Sequence, residues 1–152
     1  MRLSSNFTLE ELIATNTHID NKPSDMQMSK LLYVATYLLQ PIANKFGKIK
    51  IFSGYRSIEV NTFVKGASSS QHLEGEAVDF TLLDLVLSTS LEVKKQRMLE
   101  VFNWILLNSN IKFGQCILEM VGEKIWIHIS LPRINKVNQQ ALTYDGVEYK
   151  AY

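Results

Sequence analysis

Between Met28 and Phe46 the apolar residues recur three and four positions apart: Met28, Leu31, Leu32, Ala35, Leu38, Leu39, Ile42 and Phe46. That is the period of a helix with one buried stripe. Ser24 stands before it as an N-cap, and Pro41 inside the stripe predicts a kink near Leu39. A shorter helix is predicted upstream, from Thr8 to about Ala14, because Thr8-Leu9-Glu10-Glu11 has the spacing of a capping box. Residues 16–23 are polar and loop-like, and residues 48–53 alternate with the period of a half-buried strand. Ser57 caps a further predicted helix with Val60, Phe63 and Val64 turned inward, and residues 66–71 read as a loop. Residues 77–81 read as a strand, and 91–107 as a helix with Met98, Val101, Phe102, Ile105 and Leu106 on one face. Two strands, 115–120 and 124–130, meet around Gly122-Glu123 as a hairpin. Asp145-Gly146 marks a last hairpin, between residues 142–144 and 147–149.

Helices dominate early and strands late, with few strand–helix–strand units. The expected class is α+β, an antiparallel β-sheet with helices packed on one side. The 152 residues make one domain, 1–152, with 131–152 as a C-terminal hairpin extension; a monomer is expected. The chain is 46% hydrophobic and 20% charged, with a formal net charge of +1. That balance offers no basic field for nucleic acid. No apolar run approaches the roughly 18 residues that span a bilayer, so membrane insertion is not expected. The opening Met1-Arg2-Leu3-Ser4-Ser5-Asn6-Phe7 lacks the apolar core of a secretory signal. The expected location on synthesis is therefore cytoplasmic, with any target outside reached by another route, such as phage-driven lysis. Cys116 is the only cysteine, which excludes intrachain disulfides and cysteine-based zinc sites.

The chemistry falls to histidines and carboxylates. His72 and Asp79 flank Gly75, and His128 lies far downstream in Ile125-Trp126-Ile127-His128-Ile129. Asp79 sits between Val78 and Phe80, and His128 between Ile127 and Ile129, strands too apolar for polar groups without partners. Two imidazoles and one carboxylate fill three corners of a zinc tetrahedron, and an open fourth corner distinguishes a catalytic site. Spacing alone leaves metal binding and separate structural roles both standing.

The hairpin adds a fourth group. A two-residue turn at Gly122-Glu123 pairs Val121 with Lys124, Met120 with Ile125 and Glu119 with Trp126. Side chains alternate with period two, so Glu119 then shares a face with Trp126 and His128 and lies diagonally across the ladder from the histidine. A carboxylate there can take a proton from a water on the metal. A slip of one residue sends Glu119 to the other face, and Glu123 in the turn is the competing candidate. Arg56 follows a strand and precedes a helix, where a guanidinium can hold a carboxylate or carbonyl. Trp126 is placed as a wall of the site, Trp104 in the core, and Lys94, Lys95 and Arg97 on a solvated helix face.

Ser53-Gly54-Tyr55-Arg56-Ser57, Asn61, the run Ser69 to Phe80 and Trp126-Ile127-His128-Ile129-Ser130 together resemble the zinc D-alanyl-D-alanine carboxypeptidase family. That family includes phage endolysins cutting L-alanyl-D-glutamate bonds and shares its zinc core with the hedgehog signalling domain. Asn6-Phe7-Thr8-Leu9-Glu10-Glu11-Leu12 looks like its small, phage-associated branch. The resemblance implies a hedgehog/D-Ala-D-Ala peptidase-like fold and one Zn²⁺ held by His72, Asp79 and His128. It implies Arg56 as the residue that positions substrate, and Tyr55, Ser70 and Gln71 as substrate-contacting neighbours. It implies a hydrolase of peptidoglycan stem peptides that works on the cell wall, either as a D,D-carboxypeptidase or as an L-alanyl-D-glutamate endopeptidase. Many relatives carry a glutamate three residues before the last histidine, where this chain has Ile125. The small branch tends to place it on the preceding strand, which favours Glu119. Gly114 stands where an aspartate is common. The alternative is a catalytically silent zinc module that binds peptidoglycan or serves in a phage structure.

Overall fold

Six strands form one sheet in the order β1-β2-β4-β3-β5-β6, with helices against one face. The computed structural model describes residues 1–152. Its strands are β1 Ile49–Ser53, β2 Ala77–Leu82, β3 Gln115–Val121, β4 Lys124–Ser130, β5 Gln140–Tyr144 and β6 Tyr149–Ala151. Its helices are α1 Leu9–Ile13, α2 Asp25–Tyr33, α3 Gln40–Phe46, α4 Ile58–Phe63 and α5 Leu91–Leu107. The α+β class holds, and no helix is long and apolar enough to cross a membrane.

The helix starts follow their caps. Thr8 and Ser24 each open a reciprocal capping box, with Glu11 and Gln27 as the partners, and Ser57 and Ser90 cap α4 and α5. The disturbance expected at Pro41 takes a particular form. Residues Val34–Leu39 widen into a π-helix that joins α2 to α3 without a break, and the Gln40 N–H reaches the Ala35 carbonyl five residues back. Proline has no N–H to donate, and its ring crowds the carbonyl four residues before it. A wider turn just upstream relieves that crowding.

Alternation along the strands sorts the two faces. Val78, Phe80, Cys116, Leu118, Ile125, Ile127 and Ile129 enter the core against the α2–α3 helix and α5, whose Leu31, Leu38, Ile42, Met98, Phe102 and Ile105 meet them. The opposite face carries Asp79, Ile117, Glu119, Trp126 and His128. All six residues of β2 are buried, because this strand lies between β1 and β4 and is covered on both sides.

Three details depart from the expectation. Phe63 and Val64 at the end of α4 are exposed rather than inward, because only its Val60 and Asn61 side meets the rest of the fold. The loop before β2 contains a 3₁₀ turn, Gln71–Glu74, ended by Gly75 at φ 70°. The last hairpin turns through four residues, 145–148, rather than two, so its second strand starts at Tyr149 instead of Val147, and it joins the main sheet. β5 runs parallel to β3, the one parallel pairing in an otherwise antiparallel sheet. Because β5 neighbours β3 and not β4, the connection of residues 131–139 must cross the end of β3. The N–H groups of Gln139 and Gln140 meet the carbonyls of Phe113 and Gly114 there, both at 2.9 Å. This crossing lays the connection along the rim of the polar face.

Candidate active site

The polar face of the sheet forms the floor of a cleft of roughly 720 Å³. His72, Asp79 and His128 converge there, with ligand atoms of all three within 4.8 Å of one another. The fold explains the convergence. Asp79 of β2 and His128 of β4 are direct cross-strand partners. His72 arrives from the 3₁₀ turn just before β2, and its N–H is capped by Ser70 Oγ at 3.3 Å. His72 Nε2 lies 3.3 Å from Asp79 Oδ2, and His128 Nδ1 lies 2.9 Å from Asp79 Oδ1.

The orientation of His72 is set from outside the cluster. Its Nδ1 sits 2.6 Å from the Gly54 carbonyl, so Nδ1 carries the proton and Nε2 keeps a free lone pair. That contact explains Gly54. A Cβ at this position would stand 2.1 Å from the Leu12 carbonyl oxygen, which already accepts the Tyr55 N–H at 2.8 Å. Only glycine lets the end of β1 press against α1 and aim its carbonyl at the imidazole. Gly75 is constrained in the same way, with the Gln27 backbone 2.8 Å from where its Cβ would lie.

Charge in the cluster suits a cation. Burial pushes the Asp79 carboxyl up, but the two imidazoles outweigh that and hold it far below the usual carboxylate range. Burial pushes His72 down against the pull of Asp79, which favours the neutral form that ligates metals. Arg56 Nη2 lies 3.2 Å from Asp79 Oδ2, and its Nε donates to Ser53 Oγ at 2.9 Å. The guanidinium thus steadies Asp79 while its charge lines the cleft wall. Two imidazoles and one carboxylate, with the orientation of His72 fixed by the Gly54 carbonyl, are a donor set that fits zinc. Cys116 contributes nothing to it, since it faces the core and burial raises its thiol beyond reach of ionisation.

Glu119 completes the group. The ladder pairs Val121 with Lys124, Glu119 with Trp126 and Ile117 with His128. Gly122 takes φ 60° while Glu123 does not have a positive φ, the signature of a II′ turn with glycine at its first central position. This register puts Glu119 on the cleft face. Burial, followed by repulsion from Asp79, pushes its carboxyl up to about 7. Glu123 stays at the exposed turn, and Ile125, three residues before His128, is buried in the core. Gly114 has a steric reason: a Cβ there would lie 2.6 Å from the Leu131 carbonyl oxygen. This backbone leaves no room for an aspartate.

Ser70, Gln71 and Trp126 line the cleft as expected. Gln71 is tied down, donating to Glu76 Oε2 and to the Leu131 carbonyl, both at 3.2 Å. Tyr55 is displaced from its expected role. Its backbone is held by Leu12 and Asn21, and its ring joins the core and a separate depression beside Asp20 and Glu59. Successive residues of an extended segment point opposite ways, so a cleft-facing Arg56 turns Tyr55 away. Lys65, Arg133, Lys136, Gln140 and Tyr149 also line the cleft, and the sequence reading missed them. Four of these five lie in the C-terminal segment, whose pairing with β3 had no local signal.

His72, Asp79 and His128 form a candidate metal site on the polar face of an α+β sheet, with Glu119 beside it. A family model described as Peptidase M15 matches residues 5–107, more than half of the chain, and the protein belongs to that family. The family is zinc-dependent, and the match holds His72 and Asp79; His128 and Glu119 lie beyond it and are brought in by β3 and β4. No curated protein matches the chain.

Proposed function

We propose that this peptidase hydrolyses an amide bond of peptidoglycan stem peptides with one zinc ion held by His72, Asp79 and His128. Glu119 carries the reading. Its carboxylate lies half-buried on the cleft floor beside three convergent ligands, where it can exchange a proton with a water at the site. When bound, zinc supplies Lewis acidity toward water and the scissile carbonyl. Glu119 accepts the proton of the attacking water and returns it to the leaving amine. Arg56 holds Asp79 and sets positive charge beside the developing oxyanion. Trp126 walls the cleft on the strand that carries His128.

The bond cut is of the D,D-carboxypeptidase or the L-alanyl-D-glutamate endopeptidase type, and the likeness to the small phage-associated branch favours an endolysin-like role at the cell wall. A monomer suffices for this reading, because one chain supplies His72, Asp79, His128, Glu119 and Arg56. The test is mass spectrometry of muropeptides after digestion of purified sacculi, with and without a chelator. The expected result is chelator-sensitive release of fragments from one defined bond. Unchanged sacculi in the presence of zinc would overturn the proposal.

A further inference from the structure

The rim of the cleft bears cations that its floor does not neutralise. Four basic side chains line it: Arg56, Lys65, Arg133 and Lys136. Arg56 is matched by Asp79, and Arg133 by Glu76. Lys65 and Lys136 form no ion pair, although the other acid of the cleft, Glu119, lies on its floor.

Both lysines are held where they are by built backbone. Lys65 occupies the position after the C-cap of α4 at φ 57°, where helices usually place glycine. The Lys65 N–H meets the Thr62 carbonyl at 3.1 Å and the Gly66 N–H meets the Asn61 carbonyl at 2.8 Å, the paired bonds of a Schellman motif. The chain places its glycine one residue later, at 66, because a Cβ there would stand 2.1 Å from Asn61 Oδ1. A lysine in the left-handed region is therefore kept at a strained position on the cleft lip. Lys136 rides on a clamped loop. Asn138 Oδ1 accepts the Arg133 N–H at 2.9 Å, and Asn138 Nδ2 donates to the Arg133 carbonyl at 2.8 Å, so 133–138 close into a small ring with Lys136 at its tip.

We infer that Lys65 and Lys136 form an anion subsite, which selects stem peptides bearing a free carboxylate close to the scissile amide. The inference rests on the peptidase reading and names its substrate class. A stem peptide offers two such groups, the α-carboxylate of its γ-linked glutamyl residue and its terminal carboxylate. Amidation of either removes the charge and leaves the shape nearly unchanged.

The experiment measures calorimetric Kd values for a lysine-type stem pentapeptide, its glutamyl-amidated form and its terminally amidated form. The zinc-loaded Glu119→Gln protein serves as host, alone and with Lys65→Ala, Lys136→Ala or both. Each single substitution is expected to weaken binding of the free-carboxylate peptide about threefold and the pair about tenfold, the scale of exposed charge pairs. One amidated peptide should show the same loss in the host and no further loss in the double variant, which identifies the carboxylate read. Equal Kd values for all three peptides, no effect of the lysine variants, or no measurable binding would overturn the inference. Sacculus digestion by the wild-type protein separately tests the peptidase reading, because binding to the Glu119→Gln host needs no turnover.

Discussion

At the residue scale the weight falls on Glu119, His128 and Gly54. Glu119→Gln keeps the shape and removes the proton acceptor. It is expected to lower turnover on sacculi by about 10²–10⁴-fold with zinc content unchanged by atomic absorption, the range for loss of a positioned acid–base group. His128→Ala removes one of three protein ligands and should empty the site of zinc in the same assay. The raised carboxyl of Glu119 also predicts how stability varies with pH. Its proton is bound more tightly in the folded chain, at about 7, than at its ordinary value of 4.5. The native state therefore holds more protons than the unfolded state between those values, and its stability falls as pH rises through that window. In chelator, thermal melts of the wild type should lose ground to Glu119→Gln from about pH 4.5 to 7 and run parallel above pH 8. A constant difference across that range would show that Glu119 is not buried against Asp79 as described.

At the element scale, the contact between α1 and the end of β1 positions a metal ligand that belongs to neither. Gly54 presses on Leu12 and offers its carbonyl to His72. Gly54→Ala should push these segments apart and free the imidazole to turn. The expected effect is a weakening of zinc affinity of about 10- to 100-fold, the usual cost of losing an orienting partner. Competition with a chromophoric chelator reads it directly, and unchanged affinity would mean that the Gly54 carbonyl does not orient His72. The II′ turn works at the same scale, since it sets the register that puts Glu119 on the face of His128.

At the scale of the whole molecule, the C-terminal segment finishes both the sheet and the cleft. β5 covers the outer edge of β3, and residues 131–140 with Tyr149 wall the site. A chain ending at Leu131 should expose the edge of β3, with its unpaired backbone groups, and associate through it. Light scattering at rising concentration checks this, and a monodisperse, fully active truncation would show that the segment is dispensable. Metal also acts on the whole fold. If zinc binds only the native state, chelation from a hundredfold excess over Kd removes about 2.7 kcal/mol. That corresponds to a fall in Tm of about 5–10 °C for a chain of this size.

Much of the architecture was legible because its signals are local. Caps at Thr8, Ser24 and Ser57 opened helices where they stand, and period-two runs became strands. Apolar neighbours around Asp79 and His128 exposed both as residues with a purpose. Glu119 was legible through the two-residue turn, whose register carried it to the face of His128, and through the resemblance, which favours the strand before that turn. Other features had no local trace. Tyr55 and Arg56 are adjacent in a motif, yet the extended backbone sends one to the core and the other to the cleft. Phe63 is apolar but projects where α4 meets nothing. The sequence by itself determined which residue types were available for chemistry and which elements would carry them, because periodicity, capping and turn chemistry act over a few residues. Only the tertiary structure decided that β5 would lie parallel beside β3, that Gly54 would aim a carbonyl at His72, and that Lys65 and Lys136 would share a rim. Those are contacts between segments remote in sequence, set by which faces must be buried together.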